Sequence, residues 1–362
     1  MRKTLLNLLF VAFVICTGPL SAFAQENEAN NKDRNLPVMT RNMDAGSDFA
    51  YVLTAALNPN TTQTELLAAI TNTYFEMHLT NMAARADRLA AEIQASRPYL
   101  VGLQEVTTLR VGNYPGHATV VVDDQMQFLL AALEQRGLHY VPIKIQANAD
   151  LELPGFDQSY NLITIGFTDY DVVLARTDLP VSQLKIDNIE AQHFNATLGF
   201  PVAGQTIPFV RGWIAIDAKL RGKPYRFVTT HLETFEPHYQ AAQAEELLSG
   251  PLNTDMPVIL AGDLNSDAHI STFANGPAFG ILVSAGFADI WSELHPNDLG
   301  LTWPFYTEDP VGPATPFQRI DLILVRGSNI VCKSVALTGT TPSEGLWASD
   351  HAGVIASLTL EP

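Results

Sequence analysis

A recurring feature of the sequence is a polar residue placed directly at one end of a short apolar run. These residues are Asn42, Glu105, His231, Asp263 and Asn265 after such runs, and Asp321, Asp350 and His351 before them. Carboxylate and amide oxygens suit hard cations such as Mg²⁺ or Mn²⁺, and no Cys/His cluster points to structural zinc. Hydrolysis of a phosphate ester requires a deprotonated water and neutralised phosphoryl oxygens. The residue types therefore fit metal-assisted phosphoryl chemistry.

Each residue also has a simpler explanation when it is taken alone. Asp263 and Asn265 favour turns after a strand, and Glu105 can be a surface carboxylate. A carboxylate at a buried strand start needs a partner, and Arg319 is available to Asp321 two residues away. A single histidine is more often a core residue than a ligand. These explanations account poorly for the joint occurrence of all eight residues.

Short strands must position these side chains. Apolar runs predict strands over 38–41, 100–104, 171–175, 213–220, 225–230, 258–261, 320–325, 330–337 and 353–360. In a mixed sheet, antiparallel strands present their starts where the other strands end. All eight polar residues can therefore converge on one edge, which is the central geometric prediction.

Three helices are predicted between the strands. One begins at Met82 and ends before Pro98, one follows Asp124 and ends at Gly137, and one runs from Pro237 to about Leu248. A hairpin is predicted at 213–230, closed by residues 221–224. Residues 46–80 are interpreted as a lid or insertion of uncertain helical content. The segments 146–168, 186–208 and 295–318 are interpreted as loops that determine specificity.

The N-terminus resembles an export signal. Arg2 and Lys3 precede an apolar run, and Ala22-Phe23-Ala24 provides small residues for cleavage after Ala24. We therefore expect a signal peptide at 1–24, a flexible segment at 25–35 and one domain at 36–362, in a secreted or periplasmic protein. A lipoprotein signal ending at Cys16 is disfavoured by the bulky residue Ile15. No later segment is apolar and long enough to be a transmembrane span.

The chain is strongly acidic, with 21 basic against 38 acidic residues and a formal net charge of −17. Such a surface repels polyphosphate at long range, so nucleic acid is not the favoured substrate. A metal site can still bind a phosphate locally, and a nuclease therefore stays an alternative. The oligomeric state is left open by the sequence.

Six segments together resemble the endonuclease/exonuclease/phosphatase superfamily, which includes deoxyribonucleases and neutral sphingomyelinases. They occur in the order of that superfamily and are Met39-Thr40-Arg41-Asn42, Gly102-Leu103-Gln104-Glu105-Val106, Thr229-Thr230-His231-Leu232, Leu260-Ala261-Gly262-Asp263-Leu264-Asn265, Arg319-Ile320-Asp321 and Ser349-Asp350-His351. The resemblance implies an α+β fold: a four-layer α/β/β/α sandwich with two mixed β-sheets. One departure is Gly353, where the superfamily often has proline.

The resemblance also implies roles for these residues. Asn42, Glu105 and Asp350 would hold the metal. Asp263 would orient or deprotonate water, and Asn265 would stabilise the developing charge. Asp321 would orient His351 against the phosphate, and His231 would act as general acid or donate to a phosphate oxygen. Arg211 is a candidate phosphate clamp or a surface arginine, and Trp303 stacks on substrate or packs in the core. Asp44 is a second metal ligand or, preferably, a turn residue.

Three functions follow as hypotheses. The preferred one is a secreted, Mg²⁺- or Mn²⁺-dependent phosphoesterase that acts on a small or lipid-linked phosphodiester or phosphomonoester. The second is an extracellular endonuclease of the deoxyribonuclease type, which needs a basic rim around the site. The third is a binding protein or toxin subunit that keeps the fold without activity, although no essential residue is missing.

Overall fold

The computed structural model describes residues 35–202, 205–270, 272–306, 310–312 and 314–361. The predicted signal peptide and residues 25–34 lie outside this part of the chain. Two large β-sheets organise the described residues, and helices cover their outer faces. None of the described helices is long and apolar enough to cross a bilayer.

The first sheet has seven strands. They are β1 (Asn35–Asn42), β2 (Leu100–Asn113), β3 (Val120–Asp124), β4 (Tyr140–Phe156), β5 (Leu162–Arg176), β14 (Ile330–Thr338) and β15 (Gly353–Leu360). Their order is β14-β15-β1-β2-β5-β4, and β3 pairs with β2. Because β1 pairs with β2 in parallel and β2 with β5 in antiparallel, the sheet is mixed.

The second sheet has six strands and is also mixed. They are β6 (Leu184–His193), β9 (Gly212–Leu220), β10 (Lys223–His231), β11 (Val258–Asp263), β12 (Ala288–Asp289) and β13 (Asp321–Arg326). Their order is β12-β13-β11-β10-β9-β6. A separate two-stranded hairpin consists of β7 (Leu198–Val202) and β8 (Gln205–Phe209).

The helices are α1 (Ala50–Leu57), α2 (Gln63–Leu79), α3 (Met82–Ser96), α4 (Gln125–Gln135), α5 (Pro237–Ser249), α6 (Ala278–Ser284) and α7 (Ile290–Leu294). Local sequence explains several of their ends. Thr62 and Glu65 form a capping box at the start of α2, and the Asp124 side chain accepts from Gln127 N at the start of α4. Pro237 occupies the first turn of α5, and Gly250 follows its last residue.

Three apolar clusters define the layers. One lies between the sheets and includes Val38, Val173, Phe227 and Ile323. A second joins the first sheet to α3 and α4, and a third joins the second sheet to α5 and α6. Burial of apolar area at these three boundaries is the main stabilising term. The predicted four-layer sandwich with two mixed β-sheets is therefore confirmed.

The structure extends or corrects several predicted elements. The segment 146–168 is not a loop, because β4 and β5 pair antiparallel along almost their whole length. Similarly, 186–208 contains most of β6 and all of β7. The segment 46–80 holds the two helices α1 and α2. Strands with one exposed face alternate polar and apolar residues, so such strands lack the continuous apolar run that marks a buried strand.

The predicted hairpin at 213–230 is confirmed, but its turn is shorter than predicted. Leu220 pairs with Lys223, and Pro224 pairs with Lys219 inside the ladder. The turn therefore consists of Arg221 and Gly222 alone, and both have positive φ, at 48° and 86°. Positive φ at both central residues is the geometry of a tight two-residue hairpin turn.

Candidate active site

The strand register explains why the predicted residues meet. On the second sheet, His231 is opposite Asp263 across the parallel β10–β11 pair, and Asp263 is opposite Asp321 across the antiparallel β11–β13 pair. On the first sheet, Asn42 ends β1 opposite Gln104. The last residues of three strands and the first residue of a fourth therefore lie at one edge, as the sequence predicts.

Glu105 reaches this edge by a different route from the one predicted. It does not end its strand, because β2 continues to Asn113. Instead, the pairing of β2 with β5 is irregular between Leu103 and Val106, and Glu105 lies there with φ 54°. A bulge turns a side chain out of the regular alternation, and positive φ in a residue other than glycine is uncommon. The bulge directs the carboxylate towards Asn42 and Ala45.

The strand edge forms the floor of a cavity of about 450 Å³. The predicted residues that line it are Glu105, Arg211, His231, Asp263, Asn265, Trp303, Asp350 and His351. The other two, Asn42 and Asp321, are almost completely buried behind them. The structure therefore brings the whole predicted set to one place.

Asn42 connects two of the carboxylates. Its Nδ2 donates to Glu105 Oε1 at 2.9 Å and to Asp263 Oδ2 at 3.0 Å, while its Oδ1 accepts from Asp44 N at 2.8 Å. The second oxygen of Glu105 accepts from Ala45 N at 2.8 Å. In this arrangement Asn42 holds the carboxylates through its amide NH₂. Its role as a metal ligand stays a prediction.

Asp263 and Asn265 form the turn that the simpler explanation gives them. Asn265 N donates to Asp263 Oδ1 at 2.9 Å, and Asn265 has φ 47°. The Asn265 side chain donates to Leu232 O at 3.0 Å. Because both residues also line the cavity, the turn is the device that places them there.

His351 belongs to an acidic half of the site. Its Nδ1 donates to Asp321 Oδ2 at 2.8 Å and lies 3.8 Å from Asp263 Oδ2. Its Nε2 lies 4.0 Å from Asp350 Oδ1. Burial opposes the charge on the ring, but the carboxylates of Asp321, Asp350 and Asp263 outweigh it and raise the pKa of His351 well above its ordinary value. The surroundings of His351 therefore favour the imidazolium form, and the ring lines the cavity.

His231 has the opposite surroundings. Arg211 Nη1 lies 2.7 Å from His231 Nδ1, and a guanidinium can only donate. Nδ1 is therefore the acceptor, and the proton of the neutral ring is on Nε2, 3.4 Å from Asp263 Oδ2. Burial, followed by the charge of Arg211, lowers the pKa of His231 well below its ordinary value. His231 is a neutral hydrogen-bond donor.

Two carboxyl groups of the site have raised pKa values. Burial, followed by the charge of Asp321, raises the pKa of Asp263 to about 7. Burial, followed by the charge of Asp44, raises the pKa of Asp350 to about 7. Buried carboxylates that crowd together disfavour one another's charge. A divalent cation among them would remove that penalty.

The carboxylates of the site fit such a cation. Potential ligand atoms of Glu105, His231 and Asp263 lie within 4.8 Å of one another, and so do those of Asp263, Asp321 and His351. Because Nε2 of both rings carries a proton, the carboxylate oxygens are the available ligands, and such oxygens suit Mg²⁺ or Mn²⁺. Asp350 lines the same cavity, although it belongs to neither group.

Three of the alternatives from the sequence can now be judged. Arg211 is buried, so it is not a surface arginine. Arg319 is not the partner of Asp321, because it forms a two-pronged ion pair with Asp289 at 2.7 and 3.0 Å. Trp303 lines the cavity and donates from Nε1 to Asp350 Oδ2 at 2.9 Å, so it orients a predicted ligand rather than only packing.

Asp44 is held by neighbouring groups. Arg85 Nη2 lies 3.0 Å from Asp44 Oδ2, Tyr306 donates to the same oxygen, and Oδ1 accepts from Gly46 N at 2.5 Å. Asp44 itself has φ 58°. These contacts favour the predicted turn role, because they occupy both oxygens of the carboxylate.

Sequence reasoning missed a buried acidic pair on β5 behind Arg211. Burial raises the pKa of Asp169 to about 6, against the opposing effect of Arg211. Burial and the charge of Asp169 raise the pKa of Asp171 well above its ordinary value. The two residues are spaced by two in a strand, as are Gln146 and Asn148 on β4, and all four are buried. That spacing was the available signal, because it places polar side chains on one face.

Comparison with known proteins gives a family match. The model of the endonuclease/exonuclease/phosphatase family matches residues 72–351. No curated protein matches the sequence significantly.

Solved structures show the same fold. An endonuclease/exonuclease/phosphatase family protein from Leptotrichia buccalis superposes with a TM-score of 0.56 at 17% identity, over 90% of this chain and 100% of the other. A humanised TDP2 from D. rerio gives 0.52 at 17% identity, over 90% and 99%. A mannosyl-6-phosphatase from Bacteroides thetaiotaomicron gives 0.52 at 17% identity, over 90% and 100%.

Proposed function

Because the chain belongs to the endonuclease/exonuclease/phosphatase family and is a metal-dependent phosphoric ester hydrolase, we propose that it is a secreted enzyme acting on a small or lipid-linked phosphodiester or phosphomonoester. The observation that carries the proposal is the pair of histidines beside Asp263, one with Nδ1 against Arg211 and the other with Nδ1 against Asp321. Such a pair offers a cation and a neutral donor to one phosphoryl group.

The proposed chemistry assigns each residue a task. Glu105, Asp350 and Asn42 would hold Mg²⁺ or Mn²⁺, which would supply positive charge for the phosphoryl oxygens and the attacking water. Asp263, which accepts from Asn42 and Asn265, orients the water and takes its proton. A pKa near 7 suits a general base at neutral pH.

The two histidines bind the phosphoryl group from opposite sides. His351, fixed by Asp321, presents a charged Nε2–H, and His231 donates a neutral Nε2–H. This geometry favours the donor role of His231 over the general-acid role, because its Nδ1 already accepts from Arg211. Preorganised donors of this kind stabilise the charge that develops in the transition state.

The substrate preference rests on charge and shape. The net charge of −17 disfavours a long polyanion, and the site is a concave cavity rather than an open surface. The structural neighbour named a mannosyl-6-phosphatase acts, by its name, on a small phosphate ester. These points support a small or lipid-linked substrate, and a nuclease is the alternative that the assay must exclude.

The test uses the chain without residues 1–24, and its His351→Ala variant. Substrates are bis-p-nitrophenyl phosphate, p-nitrophenylphosphorylcholine and plasmid DNA, each with Mg²⁺, Mn²⁺ or EDTA. We expect metal-dependent hydrolysis of a small ester that His351→Ala abolishes. His139→Ala, at an exposed histidine outside the cavity, is the matched control and should retain activity. Preferred cleavage of DNA would replace the proposal with the nuclease, and silence with every metal would favour the non-catalytic alternative.

Secretion is tested separately. The proposal rests on the sequence of residues 1–24, and expression of the whole chain in a bacterial host checks it. Mass spectrometry of the exported protein should find a chain that begins at Gln25. A protein that stays in the cytoplasm with Met1 retained would contradict this part of the proposal.

A further inference from the structure

A second cavity, of about 180 Å³, adjoins the catalytic cavity. We call it the apolar cavity. Its walls come from α1, α2, the long strands β2, β4 and β5, and the β7–β8 hairpin, with lining residues that include Val52, Ala56, Ile70, Leu151, Ile165 and Phe167. Of the lining residues, only Glu105, Asp169 and Arg211 carry charged side chains.

The two cavities share a wall. Phe49, Glu105, Phe209, Arg211 and Phe235 line both of them. Glu105 is a predicted metal ligand and Arg211 is the candidate phosphate clamp. The apolar cavity therefore begins directly beside the groups proposed to bind the metal and the phosphate. A substituent on the phosphoryl group therefore has a short path into apolar surroundings.

Aromatic side chains form the boundary between the cavities. Phe200, Phe209 and Phe235 contact one another edge to face, with ring centroids 5.3 to 5.9 Å apart. The Arg211 guanidinium lies 4.4 Å above the centre of the Phe209 ring. Arg211 is the only cation among the lining residues, and it is at this boundary. An amphiphile with an anionic head and an apolar tail matches that distribution of charge.

The size and lining of the cavity also point to an apolar ligand. Protein interiors are close-packed, and apolar cavities as large as about 150 Å³ stay dry and bind apolar molecules. Phe235 is 42% exposed, so the boundary is accessible from solvent. An aliphatic chain that enters the cavity would remove apolar surface from water, which is favourable.

We propose that the apolar cavity binds an aliphatic chain of the substrate, so that the enzyme acts on amphiphilic phosphate esters with the phosphoryl group between His231 and His351. This inference rests on the proposed function and specifies its substrate class. The chain is either the tail of a membrane lipid or that of a free amphiphile, and the two sources share the same chemistry.

The test measures chain-length dependence with alkyl p-nitrophenyl phosphates carrying methyl, butyl, hexyl or octyl groups, below their critical micelle concentrations. Each buried methylene is expected to raise kcat/KM roughly fourfold until the cavity is full. We expect the ratio of kcat/KM for the hexyl over the methyl ester to exceed about 30. Because the ratio is taken within one preparation, the fraction of active protein does not affect it.

Two variants in α1 test whether the hexyl-to-methyl ratio of kcat/KM depends on the apolar cavity. Ala56 lines the cavity, and Ala56→Trp fills it, so the hexyl-to-methyl ratio should fall to near one. Thr54 lies on the exposed side of α1, and Thr54→Trp should keep the wild-type ratio. A ratio that is equally high in wild type and Ala56→Trp would overturn the inference, because the chain would then bind elsewhere.

The failures of the two proposals are distinguishable. Turnover of every ester with a flat chain-length profile overturns the inference and leaves the proposed function standing. Absence of turnover with every ester and metal overturns the proposed function and the inference with it.

The source of the aliphatic chain is assigned with hexadecyl p-nitrophenyl phosphate in phosphatidylcholine vesicles as the substrate. Faster turnover there than for the monomeric hexyl ester assigns a membrane lipid, and slower turnover assigns a free amphiphile.

Discussion

The two histidines of the site differ in what surrounds them rather than in their depth. His231 and His351 are both nearly inaccessible to solvent. Arg211 contacts Nδ1 of the first ring, whereas Asp321 contacts Nδ1 of the second. Burial and then Arg211 lower the pKa of His231, whereas Asp321, Asp350 and Asp263 together raise the pKa of His351 against the effect of burial.

The difference shows how one residue type serves two tasks in one cavity. Burial disfavours the charged form of each ring, so a specific partner must decide the outcome. On the His351 side, Asp321, Asp350 and Asp263 overcome burial, whereas on the His231 side Arg211 reinforces it. The group in contact with Nδ1 is therefore a carboxylate at His351 and a guanidinium at His231.

Replacement of each histidine by glutamine keeps a neutral N–H donor and removes the positive charge of His351. We expect His351→Gln to lower kcat about 10³-fold, because glutamine cannot supply the positive charge. His231→Gln should lower kcat only about tenfold, because a neutral donor replaces a neutral donor. Steady-state kinetics on the preferred ester measures both losses.

The control for this pair is His139→Gln, at the exposed histidine used above, together with thermal melting of each variant. Unchanged activity in the control and similar melting temperatures would exclude a folding defect. Equal losses of kcat in the two site variants would contradict the assignment of a cationic His351 and a neutral His231.

Asp321→Asn tests whether Asp321 raises the pKa of His351. The substitution keeps the shape but removes a carboxylate that raises the pKa of His351, so that pKa should fall. We expect a loss of about 100-fold in kcat, as for other residues that orient a catalytic group. Titration of the His351 ring by NMR in EDTA measures the pKa directly.

Asp217→Asn is the matched control for this substitution. It removes a carboxylate from the ion pair with Arg226 on the same sheet, outside the cavity. We expect full activity and an unchanged His351 titration. A His351 pKa that does not move in Asp321→Asn would refute the assignment of Asp321 as the group that charges the ring.

The effect of a divalent metal on thermal stability tests the crowded carboxyl groups of the site without an activity assay. The pKa values of Asp169, Asp263 and Asp350 are raised to about 6, about 7 and about 7. Their contribution to stability is therefore present below the unfolded pKa of about 3.9 and is lost as pH rises through 6 to 7. A divalent cation needs the ionised carboxylates, so it should stabilise the protein more at pH 8 than at pH 5.

The measurement is the melting temperature with EDTA and with Mg²⁺ or Mn²⁺ at the two pH values. At saturating metal and pH 8 we expect a rise on the order of 5 °C. Ca²⁺ provides a comparison of ion size, because it needs more ligands and longer bonds than Mg²⁺. A metal effect that is the same at both pH values would indicate a site outside these carboxylates.

The sequence predicted the polar edge of the site better than its surroundings. Asn42, His231 and Asp263 end buried strands, where apolar runs mark the strand and the first polar residue marks its end. Glu105 breaks that pattern. Its place depends on a bulge inside a long strand, and nothing in residues 100–113 marks where the pairing becomes irregular.

The opposite charge states of the histidines were beyond sequence reasoning. Arg211 contacts His231 only because β9 and β10 pair in a register that places Gly212 opposite His231. The walls of the apolar cavity were missed for a related reason. They come from segments that are far apart in the sequence, and their shared face appears only when α1, α2, β4 and β5 pack together.

The smallest expected effect concerns Arg211, which is a phosphate clamp, a positioning residue for His231, or both. Arg211→Met removes the donor to Nδ1 and a charge that lowers the pKa of His231, so this pKa should rise. A positioning role lowers kcat about tenfold with KM nearly unchanged, whereas a clamp raises KM.

Arg211→Lys separates the two roles, because it keeps a positive charge for a phosphate but lacks the planar, branched donor group. If Arg211 positions His231, the lysine variant should lose about as much kcat as the methionine variant. Recovery of KM in the lysine variant, with the His231 titration of the wild type, would instead assign the clamp. An unmoved His231 titration in both variants would show that burial alone keeps this ring neutral, and the two histidines would then differ only through Asp321.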